Sequence, residues 1–181
     1  MDRPLACPLE IPVIETERLR LRGHTLEDFE HTRAMWGNLS VMQYMGGVQR
    51  TTEDSWARFL RYAGHWHFLG FGYWVVEEKD TREFVGEVGF ADYKRDLEPP
   101  LEGIPELGWT LTPTKHGKGY ATEAAKAAMQ WAQKHFGSKR FTCLVHPDNR
   151  ASMRVAAKCG FVPQRSGFYK GRPNIVLETS R

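Results

Sequence analysis

Arginine at 18, 20 and 22 alternates with Leu19 and Leu21, the period-two pattern of a half-buried strand. Thr25 followed by Asp28 is an N-cap signal and predicts a helix running to about Trp36. A second helix opens at Thr51 or Thr52, where Trp56, Phe59, Leu60 and Ala63 recur at i, i+3, i+4 and i+7 and predict one apolar face turned to the core. Residues 73–78 and 84–93 read as strands joined by the turn-prone Lys79-Asp80-Thr81-Arg82, an antiparallel hairpin. A third strand, 106–111, follows the segment DLEPPLEGIP, whose three prolines continue neither strand nor helix and mark a surface loop inside the domain.

Residues 119–136 read as a long helix with Ala121, Ala124, Ala125, Ala128, Trp131 and Ala132 on one face, mostly small side chains that permit close approach to a sheet. Residues 141–145 read as a strand, 149–159 as a short helix with Val155, Ala156 and Cys159 inward, and Phe161 with 175–177 as the last strands. The order is βααβββαβαββ, and its central strand–helix–strand unit predicts a right-handed crossover between two parallel strands. The expected fold class is α/β (α+β): one domain, core residues about 14–178 after a loose start over 1–12, with a mixed, mostly antiparallel sheet of about seven strands and about four helices.

Composition agrees with one folded unit, since 181 residues with 41% hydrophobic and 26% charged suffice for a core and fit neither a disordered nor a fibrous class. The formal net charge is +3, but Lys and Arg are interspersed with Asp and Glu; that argues against nucleic acid as a partner and suits an anionic small ligand. Cys7, Cys143 and Cys159 are odd in number, widely spaced and without a CxxC, so neither a disulfide framework nor a metal site is expected. No leader-like start and no run of about 18 apolar residues is present, which predicts a soluble cytoplasmic protein with no membrane partner.

Residues 106–123, ELGWTLTPTKHGKGYATE, run from a strand through a terminating proline and a glycine-rich turn into a helix. Gly117 and Gly119 allow positive φ and close approach to a ligand, and the helix start offers unpaired N–H groups at the positive end of its dipole. The combination predicts an anion site suited to phosphate. Two common phosphate loops fail on spacing: Tyr120 follows Gly119 where a Walker A loop needs Lys, and Thr122 stands where a dinucleotide fingerprint needs its third Gly.

Leu111-Thr112-Pro113 followed by HGKGYATEA resembles the V-x-P and Q/R-x-x-G-x-G/A cofactor segment of the GNAT acetyltransferases. NRASMRVAAKCGF resembles their second motif, and IETERLRLR resembles the first strand of the branch that contains the ribosomal-protein N-terminal acetyltransferases, so the resemblance covers about residues 14–178. It implies a sheet with a V-shaped split near the parallel strands and acetyl-CoA as acyl-donor cosubstrate, leaving as CoA. It further implies that the amides of His116, Gly117, Lys118, Gly119, Tyr120 and Ala121 hold the CoA pyrophosphate. The main chain of Trp109, Thr110 and Leu111 is implied to pair with the pantetheine arm like an added strand, one N–H polarising the thioester carbonyl. Asn149 is implied to bind the pantetheine and Ser152 to face the sulfur, and homodimers are common among similar proteins. Two positions depart from the pattern: Thr114 stands where Gln or Arg is usual, and Ala156 stands where many members place the Tyr that protonates the leaving thiolate.

An attacking amine must lose a proton, and Glu106, opening the strand beside the implied cofactor, is the candidate general base, directly or through a water. The bland alternative is a strand-end Glu paired with an Arg. Ser152 is the candidate acid, against a plain helix-start residue, and Asn149 is as good an N-cap as a ligand contact. Trp36 and Tyr44 are candidates for the acceptor site, flanking an irregular segment; Trp66 and Trp74 are weaker ones, since aromatics are more often core. Loops 38–47 and 94–105 are expected to build the acceptor groove. The activity implied is acetyl transfer to a primary amine, of a peptide N-terminus or a small molecule. The alternative is an inactive CoA-binding sensor or interaction module, which Ala156 would suit.

Overall fold

A computed structural model describes residues 10–98, 100–101, 103–137 and 140–179. The start expected to be loose falls largely outside them, with Cys7. One continuous sheet of eight strands runs in the order β1-β2-β3-β4-β5-β6-β8-β7. The strands are β1 (Ile14–Glu15), β2 (Leu19–Arg22), β3 (Tyr73–Glu78), β4 (Phe84–Ala91), β5 (Glu106–Leu111), β6 (Thr142–Val145), β7 (Phe161–Tyr169) and β8 (Arg172–Thr179). Among the described residues five α-helices accompany them: α1 (Phe29–Trp36), α2 (Leu39–Met42), α3 (Thr52–Leu69), α4 (Tyr120–Phe136) and α5 (Arg150–Lys158).

All neighbours are antiparallel except β5 and β6, the parallel pair of the predicted crossover, and these register at a single residue pair, Glu106 with Thr142. Beyond that pair the strands diverge. The remainder of β5 keeps β4 on one side and faces an open V on the other.

Cβ alternation gives the sheet two unlike faces. On one, α4 lays Ala124, Ala125, Ala128 and Ala132, all fully buried, against a core that includes Trp74, Val88, Leu107 and Leu111. Side chains this small let the helix axis approach the sheet closely. α1 and α3 cover the opposite face, where β2, β3, β4 and β5 turn Arg22, Tyr73, Glu77, Glu87 and Glu106.

The α3 stripe is corrected by this arrangement. Trp56 and Leu60 are 39% and 50% exposed and Ala63 is exposed, whereas Ser55, Phe59, Tyr62, His65 and Trp66 are buried. Of the predicted stripe only Phe59 is buried, and the helix is turned so that the Tyr62 hydroxyl reaches Glu87 on the polar sheet face. Trp66 and Trp74 pack edge to face at 4.8 Å in the core and are not acceptor-site residues. β1 and the single turn α2 are elements too short for a periodic signal. β7 and β8 form a longer hairpin than 161 and 175–177 suggested, because β7 is mostly exposed and carries no apolar alternation; Lys170 and Gly171 close it at φ 51° and 73°.

Candidate active site

The turn leading into α4 leaves a run of its backbone amides open. Gly117 and Gly119 adopt φ 77° and 81°, and Gly119 caps the helix without a side chain. Such angles are nearly free for glycine and strained for other residues. Positions 116 to 119 are exposed, and among the described residues no protein oxygen accepts from the amides of Gly117, Lys118, Gly119, Tyr120 or Ala121. Surrounding side chains brace the turn: Arg18 Nη1 donates to the Lys118 carbonyl at 3.0 Å and Nε to Glu123 at 2.8 Å, Tyr120 OH donates to Glu78 at 3.1 Å, and His116 Nε2 donates to the Leu111 carbonyl at 2.9 Å.

The open edge of β5 has a definite phase. Thr112 donates to the Val85 carbonyl at 2.9 Å, and with Leu111 opposite Gly86 this directs the N–H and C=O of Glu106, Gly108 and Thr110 toward β4. Those of Leu107, Trp109 and Leu111 therefore point into the V. Across the gap, Asn149 caps α5 by accepting from Ser152 N at 3.0 Å, and the Ser152 hydroxyl accepts from Trp109 Nε1 at 3.3 Å. The cap holds Ser152 at the mouth of the V opposite β5.

A cavity of about 720 Å³ threads the V and joins the two sheet faces. Trp109, Asn149 and Ser152 line it on the α5 side; Trp36, Tyr44, Arg58, Tyr73 and Glu106 line it on the other. Glu106, 6% exposed, sits at the apex with both oxygens engaged by Arg95, at 2.6 Å from Nε and 2.6 Å from Nη2. Arg95 in turn lies between the rings of Tyr93 and Tyr169, 4.6 and 4.7 Å from their centroids. Tyr73 stands directly over Gly108, where any side chain would strike its hydroxyl, and burial above all pushes the phenol well above its usual range, so it stays protonated.

Beneath the wall of the cavity that carries Trp36 lies Glu87, fully buried. It accepts from Thr32 Oγ1 at 2.6 Å, Tyr62 OH at 2.6 Å and Trp36 Nε1 at 3.0 Å, with His24 Nε2 at 3.5 Å. Burial pushes its carboxyl up, but the contacts from His24, Thr32 and Tyr62 outweigh that and hold it below the usual range. Trp36 is thereby fixed in the wall, with the Arg58 guanidinium 3.8 Å from its ring centroid.

The acetyltransferase (GNAT) domain family matches residues 18–162. The chain belongs to this family. An uncharacterized N-acetyltransferase of Bacillus subtilis (strain 168), YoaA, is 28% identical over 160 residues, which span 88% of this chain and 86% of that one. The crystal structure of an acetyltransferase from Agrobacterium tumefaciens str. C58 matches with a TM-score of 0.81 at 27% identity, covering 100% of both chains. RimL, a ribosomal L7/L12 α-N-protein acetyltransferase in complex with coenzyme A, matches with a TM-score of 0.74 over 92% of this chain and 97% of that one; at 15% identity the likeness is one of fold.

The GNAT chain is thus an acyltransferase. Trp109, Asn149, Ser152, Glu106, Trp36 and Tyr44 meet at one cavity, while His116, Gly117, Lys118, Gly119, Tyr120 and Ala121 form the separate turn at the α4 mouth. Thr110 and Leu111 lie along β5, but the Thr110 main chain faces β4 and only its side of the strand reaches the cavity. Glu87, Tyr73, Arg58 and Arg95 escaped the sequence reading. The signal for Glu87 was a lone acid in the apolar run FVGEVGFA; the others gave none. No helix among the described residues is long and apolar enough to cross a membrane.

Proposed function

We propose that the protein transfers an acetyl group from acetyl-CoA to a primary amine, of a peptide N-terminus or a small molecule. The observation that carries this reading is the coincidence of an unpaired β5 edge, an exposed turn of free amides at the α4 mouth, and a cavity running from the β5 edge to the other sheet face. The cosubstrate supplies an activated acyl thioester. The amides of Gly117 to Ala121 would hold its diphosphate, whereas that of His116, expected to join them, is spent on the Pro113 carbonyl at 3.1 Å; the outward main chain of Trp109 and Leu111 would hold its pantetheine, and an N–H at that edge would polarise the thioester carbonyl. Asn149 and Ser152 close the opposite side.

The acceptor enters from the α1/α3 face, between Trp36 and Tyr44. Glu106 takes the amine's proton through water, since both its oxygens are engaged by Arg95. Ala156 is fully buried in the core, so the proton for the leaving thiolate comes from Ser152, the nearest hydroxyl on the α5 side, or from water. Saturating CoA is expected to raise the melting temperature, and acetyl-CoA with an accepted amine to release free thiol. Absence of any shift with CoA would refute the reading. A CoA-dependent shift with no thiol release across a broad amine panel would instead support an inactive CoA-binding module, the reading Ala156 favours.

A further inference from the structure

The cavity threading the V is lined by six cationic side chains and two carboxylates, in a chain whose whole formal charge is only +3. Both carboxylates are engaged. Asp54 closes the α3 capping box, accepting from Thr51 N and Oγ1 at 3.3 and 2.9 Å, and Glu106 is bridged by Arg95. Among the described residues, Arg58, Arg61 and Arg172 form no ion pair with a carboxylate. Their neighbours are soft or neutral: the Trp36 ring at 3.8 Å from Arg58, the Tyr93 ring at 5.8 Å from Arg61, and the Gln43 carbonyl at 3.5 Å from Arg172. Arg58 and Arg61 stand on one face of α3, one turn apart, and Arg172 comes from β8.

The CoA diphosphate does not account for this charge, because the turn at the α4 mouth contributes nothing to the cavity lining. Arg58 and Arg172 are half-buried and Arg61 is exposed; a guanidinium partly withdrawn from water without a counter-ion is costly, and a carboxylate or phosphate that reaches the three forms strong charge-assisted hydrogen bonds. We propose that the acceptor amine carries an anionic group, a carboxylate or a phosphate, held by Arg58, Arg61 and Arg172 on the α1/α3 face of the sheet. This deepens the acyl-transfer reading and rests on it. Polyamines and other polycations are disfavoured by the same field. That field also favours the neutral form of an entering amine over its ammonium form, which lessens the demand on a Glu106 already bridged by Arg95.

The test compares L-glutamate, O-phospho-L-serine and glucosamine 6-phosphate with L-glutamine amide, L-serine amide and glucosamine, the same kinds of amine without the anion, and with spermidine. Thiol release gives kcat/KM, and calorimetric titration of each amine into the CoA-saturated protein gives affinity without turnover. At least one anionic amine is expected to exceed its uncharged counterpart by roughly tenfold or more, the glutamate and phosphate arms telling carboxylate from phosphate, with spermidine lowest. Arg58→Met, Arg61→Met and Arg172→Met should each move that ratio toward one. Should Arg58→Met fail to fold for want of its Trp36 contact, the other two still decide. Equal affinity for the charged and uncharged members, preference for spermidine, or a ratio unmoved in the variants would overturn the proposal. If CoA binds and no amine is turned over, acyl transfer fails while the calorimetric ratios still judge the anion site.

Discussion

The two faces of the sheet are made by the same strands and obey opposite rules. Under α4 the strands present Leu, Val and Trp to a ridge of alanines, and everything there is satisfied by contact. Under α1 and α3 the alternate residues of those strands present Glu77, Glu87 and Glu106, each answered by named donors: Arg20 and Arg22 for Glu77, Tyr62 and Thr32 for Glu87, Arg95 for Glu106. An apolar face tolerates imprecision, because dispersion and burial are nondirectional. A buried polar face does not, since each missing partner leaves a group desolvated. This chain has both: an apolar bed under α4 that backs β5, and a cavity wall at Trp36 whose side chains are held by Glu87.

The sharpest way to break that comparison is to remove one residue from each face. Glu87→Ala strands three buried donors at once and is expected to cost about 3–5 kcal/mol, a fall of roughly 6–20 °C in melting temperature. Ala128→Leu, at a fully buried position of the α4 ridge, overfills instead and is expected to cost about 1–3 kcal/mol. Denaturant or thermal melts of the two variants decide the order. If Ala128→Leu proved the more damaging, the polar network would be a loose cluster and not the frame of the acceptor wall.

At the α4 mouth the expected effect is on the ligand as much as on the fold. Gly119→Val places a β-branched residue at φ 81°, a conformation costing about 1–2 kcal/mol, and turns or blocks the amides there. Calorimetric titration should show CoA affinity falling by roughly tenfold or more. Asn149→Ala removes the α5 cap and should cost about 1 kcal/mol. Because that cap sets Ser152 against Trp109, the KM for acetyl-CoA should rise with it.

How much of this was legible follows from the same contrast. The α4 ridge, the crossover and the glycine turn could be read from residues 106–136, because periodicity, small residues and glycine spacing are local signals. Asn149 announced its cap for the same reason. The acceptor wall could not be read. Arg58 matters because a Trp 22 positions earlier lies under it, and Arg95 because it leaves a proline-rich loop to reach Glu106, contacts made only by the fold. The α3 stripe misled because Trp56 and Leu60 are the more apolar choice, whereas the sheet face offers Glu87 to the Tyr62 hydroxyl on the helix's other side.

The smallest effect separates the two faces by pH. Glu78 lies on the α4 side, at the mouth, where the Lys115 ammonium first, then the Thr81 and Tyr120 hydroxyls, hold its carboxyl down from the ordinary 4.5 to about 2. A carboxyl depressed in the folded state contributes stability above its ordinary value and loses it as pH falls through the folded one. The contribution should therefore be complete at neutral pH and fade from about pH 4.5 to about pH 2. Glu78→Gln has no such proton to take up. Its stability deficit against the parent, followed by denaturant melts, should be largest near pH 7 and shrink toward pH 3, and added salt should reduce it because the pair is near solvent. A deficit independent of pH would mean that the residue acts by packing beneath Tyr120, and the contrast between a charged mouth and a dry α4 face would have to be redrawn.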